Sequence, residues 1–152
     1  MRWLWIGFLA LGLSGCGSLP AAPPDDGPKM ASAMVGIVNH TDKYVYSASV
    51  NGAGGANMSE YGAGGASVCC ARIPEKWRPG IKAEVRVTFA MGHQLTGLSK
   101  VVEVERYETP GSIYIHLYPD DHVRVVISEY PGYSPAHPIP RPIKPAGWKR
   151  KE

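Results

Sequence analysis

Between positions 81 and 89 every second residue is apolar: Ile81, Ala83, Val85, Val87 and Phe89 fall on one side of an extended chain, Lys82, Glu84, Arg86 and Thr88 on the other. A period of two buries one face of a strand and wets the other, whereas on a helix it would scatter the apolar set around the cylinder. The same period returns later. Ile113, Ile115 and Leu117 alternate with Tyr114, His116 and Tyr118, and after the turn residues Pro119, Asp120 and Asp121 comes the complementary run Val123, Val125 and Ile127. Positions 112–129 therefore read as a β-hairpin. Aromatic, β-branched and small residues predict further strands over 34–39, 43–51 and 101–107, the first two separated by a hairpin or tight corner at Asn39, His40, Thr41 and Asp42. Outside the N-terminal run, no window carries apolar residues at helical spacing with caps. The expectation is an all-β domain, a small antiparallel sandwich of Ig-like type with about six or seven strands, and an open barrel is the alternative.

The N-terminal run has a different purpose. Arg2 supplies a positive start, positions 3–13 are almost wholly apolar, and Leu13, Ser14 and Gly15 then precede Cys16. This is the plan of a secretory signal cut before Cys16, and it resembles the bacterial lipoprotein signal, in which that cysteine carries the lipid. The resemblance implies an anchor of two or more acyl chains, enough for stable attachment. A spanning helix would need about 20 apolar residues, more than are present here. Gly17, where an Asp would signal retention, points by the same resemblance to the outer membrane, facing the periplasm. The chain then divides into a signal peptide at 1–15, a lipidated tether rich in Pro and Ala at 16–31, a β-domain at 32–130 and a Pro-rich basic tail at 131–152.

Charge and cysteine content narrow the function classes. The formal net charge is +3, one unit of it from Arg2 and much of the rest from Arg141, Lys144, Lys149, Arg150 and Lys151. The folded part is thus nearly neutral, without the basic stripe that a nucleic-acid-binding module carries. With Cys16 assigned to lipid, Cys69 and Cys70 remain, and they are adjacent. They are candidates for a redox role as a vicinal disulfide or as an exposed thiol for an intermolecular bond, or else one of them is a small buried hydrophobe and the other faces a partner. Two adjacent cysteines with no second Cys or His pair at ligand spacing do not make a zinc site. No metal or cofactor is expected. Six of the 22 residues in the tail are proline, which favours an extended conformation. Either the tail is a solvated appendage, or it lies along the domain through Tyr133, Ile139 and Trp148.

Gly-Ala-Gly-Gly-Ala occurs twice, at 52–56 and 62–66. A phosphate-cradling loop would lead into a helix, and here Val68, Cys69 and Cys70 follow, so the repeat reads as a long inter-strand loop presenting Asn57, Met58, Glu60 and Tyr61 at its tip. The succession of this segment, Val68-Cys69-Cys70, Ile73-Pro74, Trp77, Pro79-Gly80 and a strand of alternating valines resembles a family of small bacterial lipoproteins classed as a domain of unknown function. His116, Leu117, Pro119 and Asp120, and the closing His137-Pro138, extend the likeness over about 31–140. Members of that family are often encoded beside phospholipase effectors of the type VI secretion system. The resemblance implies an immunity protein whose partner is a secreted lipase.

The sequence carries no catalytic constellation. There is no Gly-x-Ser-x-Gly elbow, and Ser67, Ser99 and Ser112 have no neighbouring signature. His116, Asp120, Asp121 and His122 crowd a hairpin turn, where exposure leaves carboxylates near their ordinary acidity. The expectation is a non-enzymatic, lipid-anchored binding protein whose contacts are Met58 and Tyr61 in the glycine-rich loop, Trp77 and Arg78 after the cysteine strand, and Tyr133 and Trp148 in the tail. Trp77 could equally plug one end of the sandwich. The rival function is a structural or assembly lipoprotein of the cell envelope.

Overall fold

Eight strands form two four-stranded sheets, and each strand follows from a local pattern in the chain. The structure, a computed structural model, describes residues 27–150. The expected signal peptide, Cys16 and most of the expected tether lie outside the described residues. β1 (Met30–Asn39), β4 (Val68–Pro74), β7 (Ser112–Leu117) and β8 (Val123–Ser128) make one sheet in the order β4-β1-β7-β8. β2 (Tyr44–Val50), β3 (Ala53–Met58), β5 (Lys82–Met91) and β6 (Gln94–Glu103) make the other, in the order β3-β2-β5-β6. Every pairing is antiparallel except β1 with β7, which is parallel and sets Val38 opposite His116. The all-β sandwich is as expected, with eight strands where six or seven were counted.

The core lies between the sheets. Val35 and Ile37 of β1, and Ile113, Ile115 and Leu117 of β7, face Val45, Ala48 and Val50 of β2 and Ala83, Val85, Val87 and Phe89 of β5. The alternation of β5 thus reports its buried face correctly. In β2 the buried residues are three apart at Val45 and Ala48 because the ladder to β5 slips between Val45 and Ser47, and a bulge resets the period. Ion pairs and hydrogen bonds finish the edges: Arg124 makes a bidentate contact with Glu105 at 2.6 and 2.9 Å, and Tyr107 donates its hydroxyl to the Pro74 carbonyl.

Two segments differ from the sequence reading. The first glycine repeat is a strand, not a loop. Asn51 and Gly52 both take positive φ, 49° and 80°, which is the two-residue turn that joins strands of natural twist, and 53–58 returns along β2 as β3. The second repeat continues the β4 edge alongside β1, with Gly64 N–H donating to Ile37 O and Asn39 N–H to Gly62 O. The corner at 39–42 is the second of the two alternatives, since β1 and β2 lie in different sheets.

The tail is a third layer. Gly132 N–H donates to Gly64 O at 3.0 Å, and Ile139 is buried against Val38, Tyr114 and Val126 on the outer face of the β1 sheet. Both faces of β7 are consequently covered.

Candidate functional site

At the end of the sandwich where β1 finishes, three histidines remote in sequence come into line. Their positions follow from the backbone. Asn39 is fully buried and accepts hydrogen bonds at Oδ1 from Thr41 N–H and Thr41 Oγ1, while its amide donates to Lys43 O and Ser59 O. That closed Asx turn fixes the corner and with it His40, whose backbone N–H donates to Leu117 O. His116 projects from β7 toward the tail, and His137 is carried in by the tail.

The nitrogen contacts assign a single direction to the series. His137 Nδ1 lies 2.9 Å from the Tyr130 carbonyl, which can only accept, so Nδ1 bears the proton and Nε2 is an acceptor. His116 Nε2, 3.0 Å away, therefore donates to it, which leaves His116 Nδ1 to accept from His40 Nε2 at 3.2 Å. The contacts take this order when each ring carries a single proton. His40 is half-buried and stacks on Tyr118 at 4.3 Å with planes 8° apart, and His116 and His137 stack at 5.1 Å.

Burial first, then the neighbouring His137, His40 and Arg124, push His116 down to about 3. Burial and Arg124 lower His40 as well. Each side-chain nitrogen in the contacts is engaged by another imidazole or by a backbone carbonyl. What the series can do chemically is pass a proton from the half-exposed His40 inward toward His137; its structural effect is to tie the tail to β7. The sequence reading placed His116 with Asp120, Asp121 and His122 at the hairpin turn. The structure separates them: His116 is wholly buried, and Asp120 and Asp121 are exposed, with φ near 58° and 57° in the turn itself.

The expected partner contacts fall at two ends of the molecule. Tyr61 and Trp148 meet edge to face at 5.5 Å, Lys144 lies over the Trp148 ring at 4.9 Å, and Arg150 pairs with the buried Glu60 at 2.8 Å. Beside them a groove of about 330 Å³ is bounded by Tyr61, Tyr133, Arg141, Ile143 and Lys144. Tyr133 is exposed and Ile143 is 87 % exposed. Met58 is the exception in this group: it is half-buried and packs on the main core. Trp77 and Arg78 sit at the opposite end, where Trp77 donates Nε1–H to Val104 O at 3.1 Å and packs against the core as a plug. Cys69 and Cys70 are joined as a vicinal disulfide on β4, Cys69 exposed and Cys70 half-buried.

Sequence reading missed the imidazole series, since its members lie 76 and 21 residues apart and only the parallel β1–β7 pairing and the tail layer bring them together. Comparison with curated proteins and with solved structures gave no match. A family described as a protein of unknown function, DUF3304, matches residues 38–125. That span holds β2 to β7 whole, with His40 and His116, and ends before the tail that carries His137. It covers more than half of the chain, and the protein belongs to the DUF3304 family.

Proposed function

We propose that this is a lipid-anchored protein of the cell envelope that binds a protein partner through the face built by the glycine-rich segment and the tail. One observation carries the reading: Tyr61, Tyr133 and Ile143 line a groove with Arg141 and Lys144 on its rim, and Trp148 packs on Tyr61 beside it, on backbone pinned by the tail layer. Aromatic and arginine anchors held rigidly at a surface are what protein interfaces are built from, and exposed aliphatic side chains beside them are poorly spent on solvent. Loop and tail form one face, so they act as one contact and not as alternatives. Attachment to a membrane is supported by the sequence around Cys16. The nature of the partner, a secreted lipase effector of the type VI system that this protein would neutralise, is supported by the resemblance to lipoproteins encoded beside such effectors.

Survival of a susceptible bacterium making a type VI phospholipase effector in its periplasm tests this, the effector being taken from beside this gene, with the intact chain, the Cys16→Ala form and a Tyr133→Ala/Ile143→Ala form. Protection with a co-purifying complex, lost in the double variant, is the expected result. Absence of both protection and complex would leave the structural envelope lipoprotein as the better reading.

A further inference from the structure

At the end where β1 begins, opposite the groove, a cleft of about 540 Å³ opens between the two sheets. Its floor is apolar, with Ile73, Ile81 and Val104, and its rim is basic, with Arg72, Arg78 and Lys82. All three cations are exposed, and no carboxylate lines the cleft. Glu103 stands across from Lys82 in the β5–β6 ladder but is not part of the lining. The flanking stretches 28–30 and 72–82 add Lys29 and Lys76 against Glu75 alone. In a domain that is otherwise close to neutral, this end is strongly cationic. The arginine and glutamate pairs elsewhere, Arg86 with Glu84, Arg106 with Glu108 and Arg124 with Glu105, leave these cations out.

We infer that this cleft is a binding site for the phosphate headgroup of an anionic membrane lipid. Arginine forks suit phosphate oxygens, and an apolar floor below a basic rim suits the glycerol and upper acyl carbons beneath that phosphate. The position of the cleft adds a second argument: β1 enters the domain here at Met30, so on the anchored reading this is the end nearest in the chain to the lipid-bearing cysteine. The choice of a lipid over a soluble phosphate rests on the anchored reading of the chain; the charge and shape of the cleft do not. With β1 spanning ~33 Å, the aromatic groove at its far end then points into the periplasm.

The test uses the chain from residue 17 on, which has neither signal nor acylated cysteine, so that headgroup binding is read apart from anchoring. Co-sedimentation is measured with vesicles of phosphatidylcholine alone and with added phosphatidylglycerol. Binding only to the anionic vesicles is expected, reduced about tenfold or more in Arg72→Gln/Arg78→Gln and unchanged in the charge-matched Arg141→Gln/Lys144→Gln at the opposite end. Both pairs are exposed, and matching urea transitions will show that the domain is intact. No dependence on phosphatidylglycerol overturns the site. An equal loss in the two double variants overturns it in favour of diffuse charge, and full competition by low-millimolar inorganic phosphate overturns the lipid assignment. Loss of protection in the Cys16→Ala cell with vesicle binding intact would fault neither the cleft nor its ligand.

Discussion

Acid should unfold this domain through one residue more than any other. His116 is fully buried, its charged form is opposed first by desolvation and then by His137, His40 and Arg124, and it takes up a second ring proton only near pH 3. In the unfolded chain the same imidazole takes up a proton near pH 6.5. Its neutral burial therefore contributes stability that is complete above about pH 6.5 and is lost as the pH falls toward 3, at about 1.4 kcal/mol per pH unit. Between pH 7.5 and 4.5 the loss is about 3 kcal/mol, a large share of the ~5–15 kcal/mol that a domain of this kind has. Urea unfolding followed by the fluorescence of Trp77 and Trp148 at those two pH values measures it. The comparison is His116→Gln, whose amide offers donors and an acceptor but no titration. The variant should be less stable at pH 7.5 and should lose about 3 kcal/mol less on acidification, which removes the contribution of carboxylates common to both proteins. Equal losses in the two proteins would show that His116 is not the linked group.

Three other outcomes follow from particular contacts. A Cβ on Gly132 would collide with Val38 Cγ2 and lie 3.0 Å from Gly64 O, so Gly132→Ala should cost about 1–3 kcal/mol and speed tryptic cleavage at Arg141 and Lys144; unchanged cleavage would mean that the tail is held elsewhere. Arg150→Ala leaves the buried Glu60 carboxylate without its partner and should cost about 1 kcal/mol, small because Arg150 is itself largely exposed, and Glu60→Gln in that background should restore most of it in thermal melts. Cys69 and Cys70 should resist alkylation in protein purified from the periplasm and react after reduction; direct labelling of either thiol would refute the vicinal bond.

Much of the architecture is legible where one residue class answers one local question. The alternation in 81–89 names the core face of β5, and the complementary runs around Pro119 name the β7–β8 hairpin, because burial on one side of a strand leaves a period of two whatever the rest of the fold does. β3 is illegible by the same rule: Ala53, Gly54, Gly55 and Ala56 have no side chains to alternate, and the signal lies in the Asn51-Gly52 turn, two residues whose positive φ returns the chain along β2. The candidate sites divide along the same line. Tyr61, Tyr133 and Trp148 are visible as aromatic side chains in glycine- and proline-rich surroundings, where a purely solvated segment has no use for them, and the structure brings Tyr61 to Trp148 with Tyr133 beside their groove.

The imidazole series and the basic cleft are invisible for a common reason. Each is a juxtaposition created by topology: a parallel β1–β7 pair sets Val38 against His116 and so places the next corner's His40 beside it, while the β4 to β5 connection folds Arg78 back between Arg72 and Lys82 at the rim of one opening. Histidines scattered at 40, 116 and 137, or cations at 72, 78 and 82, look like ordinary polar residues until the sheet order is known. The tail matters most here, because it covers the face of β7 from which His116 projects and supplies His137 to it, and it brings Tyr133 to the groove and Trp148 to Tyr61. A single layer of about twenty residues thus couples the stability of the domain at neutral pH to the integrity of its proposed partner face. Conditions that protonate His116 should release both at once.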